Sequence, residues 1–143
     1  MDDDASSTWI AGAACVMAAA LASAACGAAA GTACPAIGWS NTLTVGLADA
    51  WPVVDGGSLR VACASPCGVH GPAGPAHELT TPLSGTSTVV GMDMTAPDSI
   101  TLTVLGPDGT ELAVLDADLD WRRVGGSEEC GGPHAASVVI PGP

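Results

Sequence analysis

Apolar and polar residues alternate in short runs from Cys34 onward, which is the pattern of half-buried β-strands. The clearest runs are residues 41–47, 58–63, 86–92 and 135–140. Proline and glycine separate the runs at the roughly 8–12-residue spacing of antiparallel sandwiches. No long helical period interrupts them. The pattern predicts an all-β fold, an immunoglobulin-like antiparallel β-sandwich over residues 34–143.

A β-hairpin over residues 99–119 is the best defined predicted element. Residues 99–105 and 110–115 alternate, and Gly-Pro-Asp-Gly stands between them at 106–109. This is a strong turn sequence because proline suits its second position and glycine its end. By contrast, residues 65–76 are rich in proline and glycine, and we predict a long loop there.

The N-terminal region is predicted to be a targeting segment. Residues 9–33 carry no charge and are mainly alanine and glycine. The run is long enough for a bilayer span, but it holds few large apolar residues, which favours a secretory signal peptide. The alternatives are an uncleaved N-terminal hydrophobic helix that anchors the chain and an alanine-rich helix without a targeting role. The predicted organisation is a signal peptide or membrane anchor at 1–26, a tether at 27–33 and the sandwich at 34–143.

Cys26 is the predicted lipidation site. It ends the sequence Leu-Ala-Ser-Ala-Ala-Cys, which resembles a bacterial lipoprotein processing site with small residues before the modified cysteine. Ser23 and the acidic start at residues 2–4 depart from the usual pattern. On this interpretation the membrane is a partner through an N-terminal lipid or helix.

Charge excludes two other kinds of partner. The 143 residues include 3 basic and 15 acidic ones, for a net charge of -12. Nucleic acid and anionic lipid headgroups are both held by basic side chains. We therefore expect no nucleic-acid binding and no basic membrane-binding patch.

The remaining cysteines predict disulfides. Of the six cysteines, Cys15 lies in the apolar segment and would leave with it, and Cys26 is the lipid candidate, so an even number is left for the domain: Cys34, Cys63, Cys67 and Cys130. We favour Cys34–Cys130, because the first and last strands of such a sandwich can run side by side in parallel, and Cys63–Cys67 across a Ser-Pro turn. The rival arrangement joins Cys34 to one cysteine of the 63–67 loop and Cys130 to the other.

Two sets of residues are candidates for metal binding. The first is a soft set, Cys63, Cys67 and His70. The second is an acidic run that would share one face of a strand, Asp116, Asp118 and Asp120. For the acidic run a solvated strand face is the simpler interpretation, because an EF-hand would need glycine and glutamate where Trp121 and Ser127 stand.

Catalysis is not predicted. The sequence offers no recognisable set of nucleophile, acid and base, so we expect neither an enzyme nor a cofactor. The domain has no Phe or Tyr, and its tryptophans are Trp39, Trp51 and Trp121. Core packing is the expected role of these side chains, whereas a surface tryptophan would indicate a glycan or peptide contact.

Both ends of the predicted domain carry a resemblance. Residues 34–45, Cys-Pro-Ala-Ile-Gly-Trp-Ser-Asn-Thr-Leu-Thr-Val, and residues 130–139, Cys-Gly-Gly-Pro-His-Ala-Ala-Ser-Val-Val, resemble small exported or lipoprotein-like proteins of high-GC Gram-positive bacteria. The resemblance implies an envelope location and a cysteine-bridged domain, and it implies no activity.

The sequence therefore predicts a non-catalytic binding or structural module on the outer face of the bacterial cell envelope. It would be membrane-anchored or secreted, and the sequence does not identify its protein or glycan partner. The alternative is a metal-binding envelope protein that uses the soft or the acidic set.

Overall fold

The computed structural model describes most of the predicted domain, namely residues 33–49, 51–52, 54–71 and 74–142. The chain divides into two units, Met1–Cys34 and Pro35–Pro143, and the second contains every described strand. The predicted signal or anchor segment, with its helix and Cys26, lies outside the described residues. No helix in the described ranges is long and apolar enough to cross a membrane.

The described part of the fold is all β. In chain order its strands are β1 (Thr42–Leu47), β2 (Ser58–Cys63), β3 (Gly68–Gly71), β4 (Gly74–Ala76), β5 (Glu78–Pro82), β6 (Ser87–Gly91), β7 (Ser99–Leu105), β8 (Glu111–Asp118), β9 (Arg122–Arg123) and β10 (His134–Ile140). Sheet A has the order β6-β1-β10-β9, sheet B has the order β5-β2-β7-β8, and β3 pairs with β4.

The first and last long strands are neighbours in sheet A. β1 and β10 run parallel, with Thr42 opposite Ala135 and Leu47 opposite Ile140. β6 pairs antiparallel with the other edge of β1. The parallel pairing that the sequence analysis expected for the first and last strands is therefore present, and it makes β1 and β10 the centre of this sheet.

β7 and β8 form the predicted hairpin. In its turn the N–H of Gly109, whose φ is +82°, donates to the carbonyl of Gly106. The backbone N–H of Thr110 donates to Oδ1 of Asp108 at 3.0 Å. That hydrogen bond stabilises the charged carboxylate and holds the pKa of Asp108 below its ordinary value.

The inward-facing residues of the two sheets meet in one core. The apolar positions of β1 and β2 are buried and the intervening ones are half-buried, as their alternation predicts. Trp51 and Trp121 pack against this core, and each indole N–H donates to a main-chain carbonyl. The largest fully buried side chains are Leu43, Leu59, Met92, Leu102, Ile140, Val45, Val61 and Val104.

A buried amide fixes the start of sheet A. Asn41, immediately before β1, is only 2% exposed. Its Nδ2 donates to the carbonyl of Thr95 at 2.9 Å, and its Oδ1 accepts the backbone N–H of His134 at 2.8 Å. Because both partners are distant in sequence, this one side chain holds the start of β1 against the start of β10 and against the turn that follows β6.

Two segments differ from the sequence prediction. Residues 65–76, predicted to be a loop, contain the antiparallel pair β3 and β4. β5 was not predicted, yet it forms one edge of sheet B through pairing with β2. Leu79 is its only large apolar residue and Pro82 ends it, so β5 lacks the alternation by which the other strands were found.

Candidate interaction surface

The outer face of sheet A is uncharged. We call its outward residues the sheet A face: Thr42, Thr44 and Gly46 of β1, Ser87, Val89 and Gly91 of β6, and Ala135, Ser137 and Val139 of β10. Charged groups begin at β9, where Arg122 lies 2.9 Å from Asp120. This face has no acid, although 15 of the 143 residues of the chain are acidic.

Two valines are the most exposed apolar groups of the sheet A face. Val89 is 62% exposed and Val139 is 64% exposed. Val89 lies opposite Thr44, and Val139 lies opposite Gly46. A Cβ at Gly46 would sit 3.6 Å from the Val139 side chain, so glycine leaves a shallow depression beside this valine. The two valines lie on either side of β1, so they are two separate apolar positions on one uncharged face.

The outer face of sheet B, by contrast, carries charged residues. Arg60 lies 3.8 Å from Glu78 of β5 and 3.6 Å from Glu111 of β8. The Thr101 hydroxyl donates to Asp116 at 2.6 Å. These exposed pairs add little stability, but they put charges of both signs on this face, beside Val114, which is 58% exposed. The two outer faces therefore differ in chemistry although they belong to one small domain.

An apolar cleft of about 130 Å³ lies beside Trp39, before β1. Trp39 is half-buried and Ile37 is 69% exposed. The cleft is lined by Pro35, Ile37, Trp39, Gly126, Cys130, Gly131, Gly132 and Pro133. Trp39 is not part of the main core, so the core-packing expectation does not hold for this tryptophan.

The loop opposite Trp39 requires glycine. Gly126 and Gly131 both have a φ of +73°. A Cβ at Gly131 would lie 3.1 Å from the Trp39 ring, and one at Gly126 would overlap the Gly131 carbonyl oxygen. A side chain at Gly126 is therefore excluded by space as well as disfavoured by backbone conformation, whereas one at Gly131 is disfavoured by its φ and would crowd the Trp39 ring.

Cys63 and Cys67 form a disulfide. Cys34 and Cys130 are each disulfide-bonded as well. The rival arrangement placed Cys63 and Cys67 in separate bridges, and the observed bond makes it wrong. The pairing of Cys34 with Cys130 stays a prediction.

Among the described residues, the metal candidates are not assembled into a site. The joined sulfurs of Cys63 and Cys67 are not free thiolates, and the His70 side chain lies outside the described part. Asp116, Asp118 and Asp120 are exposed along one face, as the alternation predicts. Within the described ranges no three His, Cys, Asp or Glu residues stand close enough together to hold a metal ion.

The residues of the sheet A face were not singled out from the sequence, although one signal was present. Both β6 and β10 contain two consecutive valines, at 89–90 and 138–139. Successive strand residues point to opposite faces, so each pair must place one valine outward. Comparison with protein-family models, curated proteins and solved structures finds no match.

Proposed function

We propose that the chain is a non-catalytic binding module on the outer face of the bacterial cell envelope, with an immunoglobulin-like sandwich whose sheet A face contacts another protein. The observation that carries the proposal is the separation of charge between the two sheets. An uncharged, partly apolar face bordered by charged surface is typical of protein contact sites.

The strand arrangement supports the immunoglobulin-like class. Two four-stranded sheets share one core, and the first and last long strands pair in parallel at the centre of sheet A. Aligned packing of two sheets with an inward-facing core is the architecture of this class.

The disulfides support an extracytoplasmic location. Cys34, Cys63, Cys67 and Cys130 are all oxidised, and such bonds persist in oxidising compartments. The predicted signal segment, with Cys26 as its lipid acceptor, is the expected route of export and attachment.

The residues of the sheet A face favour a protein partner over catalysis or glycan binding. Its hydroxyl groups are those of Thr42, Thr44, Ser87 and Ser137; the charged groups that line the cleft beside Thr44 and Ser137, Asp120 and Arg122, are paired with each other at 2.9 Å. The face also carries no aromatic ring on which a sugar would stack. β-Branched and small side chains on a flat sheet instead suit a protein surface.

The test is site-specific photo-crosslinking in the producing cells. A photoreactive amino acid replaces Val89, Val139 or, as the matched control, Val114 on sheet B. The three valines are 62%, 64% and 58% exposed, so the control has nearly the same accessibility on the other sheet.

We expect the same adduct from positions 89 and 139, in the envelope fraction, and no such adduct from position 114. The proposal is overturned if neither sheet A position yields an adduct, or if position 114 yields it equally well. Accessibility of the folded domain to protease added outside the cells tests its location in the same samples.

A further inference from the structure

Trp39 lines an apolar cleft before β1, and none of the lining residues belongs to the sheet A face. We call it the Trp39 cleft. Its volume of about 130 Å³ is below the roughly 300–1,000 Å³ of small-molecule sites, so it has room for a single side chain rather than for a cofactor. Trp39 is only half-buried, and Ile37, which also lines the cleft, is 69% exposed. The cleft is therefore an exposed apolar feature that the proposed function does not use.

The wall opposite Trp39 is held in place by its own hydrogen bonds. The N–H of Ser127 donates to the carbonyl of Gly131 at 3.0 Å, and the N–H of Cys130 donates to Oγ of Ser127 at 3.1 Å. Cys130 is also disulfide-bonded. Because Gly131 has no side chain, its backbone lies directly against the Trp39 ring. A cleft held in this way loses little conformational freedom when a ligand enters, which favours binding.

Two acids stand on the turn that borders the Trp39 cleft. Glu128 and Glu129 are both exposed, and Glu129 directly precedes Cys130 of the cleft wall. Consecutive Cα atoms are about 3.8 Å apart, so the Cα atoms of both glutamates lie within about 8 Å of that of Cys130. The rim of the apolar cleft therefore carries two negative charges.

Two bases also lie near this end of sheet A. Arg123 pairs with His134, which directly follows the cleft residue Pro133. Arg122 lies 2.9 Å from Asp120, so this pair adds no net charge. The two glutamates on the turn outnumber Arg123, and the chain as a whole carries a net charge of -12. The surroundings of the cleft therefore attract a cation.

We infer that the Trp39 cleft holds an arginine side chain of a protein partner. The guanidinium would lie against the Trp39 ring, whose π-face attracts a cation, beside the turn that carries Glu128 and Glu129. Its methylene groups would pack against the apolar lining, which includes Ile37. Arginine suits this place better than lysine because its planar head stacks on aromatic rings and is more weakly hydrated.

A glycan is the other ligand that an exposed tryptophan indicates, and the lining of the cleft argues against it. Ligand sites use a few precisely placed polar groups to fix orientation, and a sugar has many hydroxyl groups to orient. The lining side chains are those of proline, isoleucine, tryptophan and a disulfide-bonded cysteine, and the other lining residues are glycine. The lining therefore offers no polar side chain, whereas the adjoining turn offers two negative charges.

The test is an NMR titration of the intact, oxidised protein, followed by the indole N–H signal of Trp39. The probes are a capped Ala-Arg-Ala peptide and the same peptide with citrulline, which keeps the shape of arginine without its charge. We expect the arginine peptide to shift the Trp39 signal saturably and the citrulline peptide to bind roughly fivefold more weakly or less still. Equal binding of the two peptides, or no shift of the Trp39 signal, overturns the inference.

Two double variants separate the cleft from the overall charge. Glu128→Gln with Glu129→Gln removes two negative charges beside the cleft. Asp49→Asn with Asp55→Asn removes two from exposed positions between β1 and β2, near the end of β1 that is remote from Trp39. We expect the first to weaken binding of the arginine peptide roughly fivefold and the second to leave it within about twofold. Equal losses overturn the inference, because net charge alone would then attract the peptide.

Trp39→Leu removes the ring and keeps the cleft apolar. Trp39 is not part of the main core, so we expect the unfolding transition to be retained. Binding of the arginine peptide, now followed by the backbone N–H of Gly131, should weaken roughly fivefold. A Trp39→Leu protein that folds and binds this peptide like the parent contradicts the stacked arrangement. None of these outcomes decides the crosslinks expected at Val89 and Val139, because the cleft shares no residue with the sheet A face.

Discussion

Asn41 offers the sharpest test of how sheet A is held together. Asn41→Ala leaves the carbonyl of Thr95 and the backbone N–H of His134 without their partner, at a place where the asparagine is 2% exposed. A buried polar group left unpaired costs about 1–3 kcal/mol. Thr95 and His134 are half-buried, so the lower part of that range applies to each. We expect a loss of about 2–3 kcal/mol, a large fraction of the roughly 5–15 kcal/mol of a typical domain.

Asn41→Asp separates the two hydrogen bonds. The ionised carboxylate still accepts the N–H of His134, but it has no proton to donate to the carbonyl of Thr95. Burial and that carbonyl both disfavour the charge, so the pKa of the introduced carboxyl lies above its ordinary value. The protonated form can donate to Thr95 and restore both bonds.

The direction of the pH effect follows from linkage. When the folded-state pKa is above the unfolded-state pKa, the folded protein binds the proton more tightly. The stability of Asn41→Asp is therefore closest to that of the parent below the ordinary carboxyl pKa, about 3.9. As the pH rises through the raised pKa, the stability of the variant falls progressively further below that of the parent.

Urea unfolding followed by tryptophan fluorescence, at mildly acidic and at neutral pH, measures these differences. Ser40→Ala is the control, since Ser40 is exposed and its hydroxyl donates a long hydrogen bond of 3.3 Å to the adjacent carbonyl of Asn41. We expect it to change stability by less than about 0.5 kcal/mol. The account of Asn41 is refuted if Asn41→Ala matches this control, or if the gap between parent and Asn41→Asp does not narrow in acid.

Three further predictions concern the backbone and the turns. Trp51→Phe removes a donor that lies 2.9 Å from a carbonyl just after β10, and should cost about 1 kcal/mol by urea unfolding; an unchanged midpoint would contradict this role. Gly126→Ala should lower Tm much more than Gly109→Ala, because both have a positive φ but only Gly126 faces a blocking carbonyl; equal losses would refute the steric argument. The pKa of Asp108, measured by NMR titration, should lie below the ordinary carboxyl value. The stability that its carboxylate contributes is therefore present at neutral pH and lost as the pH falls through the lowered pKa. A titration midpoint at or above the ordinary value would contradict the Thr110 hydrogen bond.

Local sequence pattern predicts much of this fold because several strands are amphipathic by themselves. Alternation over 42–47 and 58–63 correctly identifies the inward faces of β1 and β2. The Gly-Pro-Asp-Gly turn correctly predicts the β7–β8 hairpin. In these segments the side chains alone specify strand, face and turn, since each carries its own period-two pattern.

Other strands are specified by the neighbouring strand with which they pair rather than by their own side chains. β5 has one large apolar residue, and β3 and β4 are mostly glycine, proline and alanine. Their backbone hydrogen bonds to neighbouring strands compensate for what their side chains lack. A criterion based on hydrophobic period cannot detect such segments.

The candidate site depends on non-local pairing, which the sequence does not display. Whether Val89 and Val139 share a face follows from β1 lying between β6 and β10. That β9 pairs with only the first two residues of β10 is likewise a matter of which strands meet. Both facts concern which strands meet across long stretches of chain, and no local pattern encodes them.

Export is the premise on which the whole account depends, and intact mass before and after reduction tests it most directly. The protein must be isolated from the cells that produce it. The account predicts a chain that begins at Cys26, carries a lipid, and gains the hydrogens of two disulfides on reduction. A chain that begins at Met1 and shows no mass change on reduction would contradict the account, because its cysteines would be free thiols in a reducing compartment.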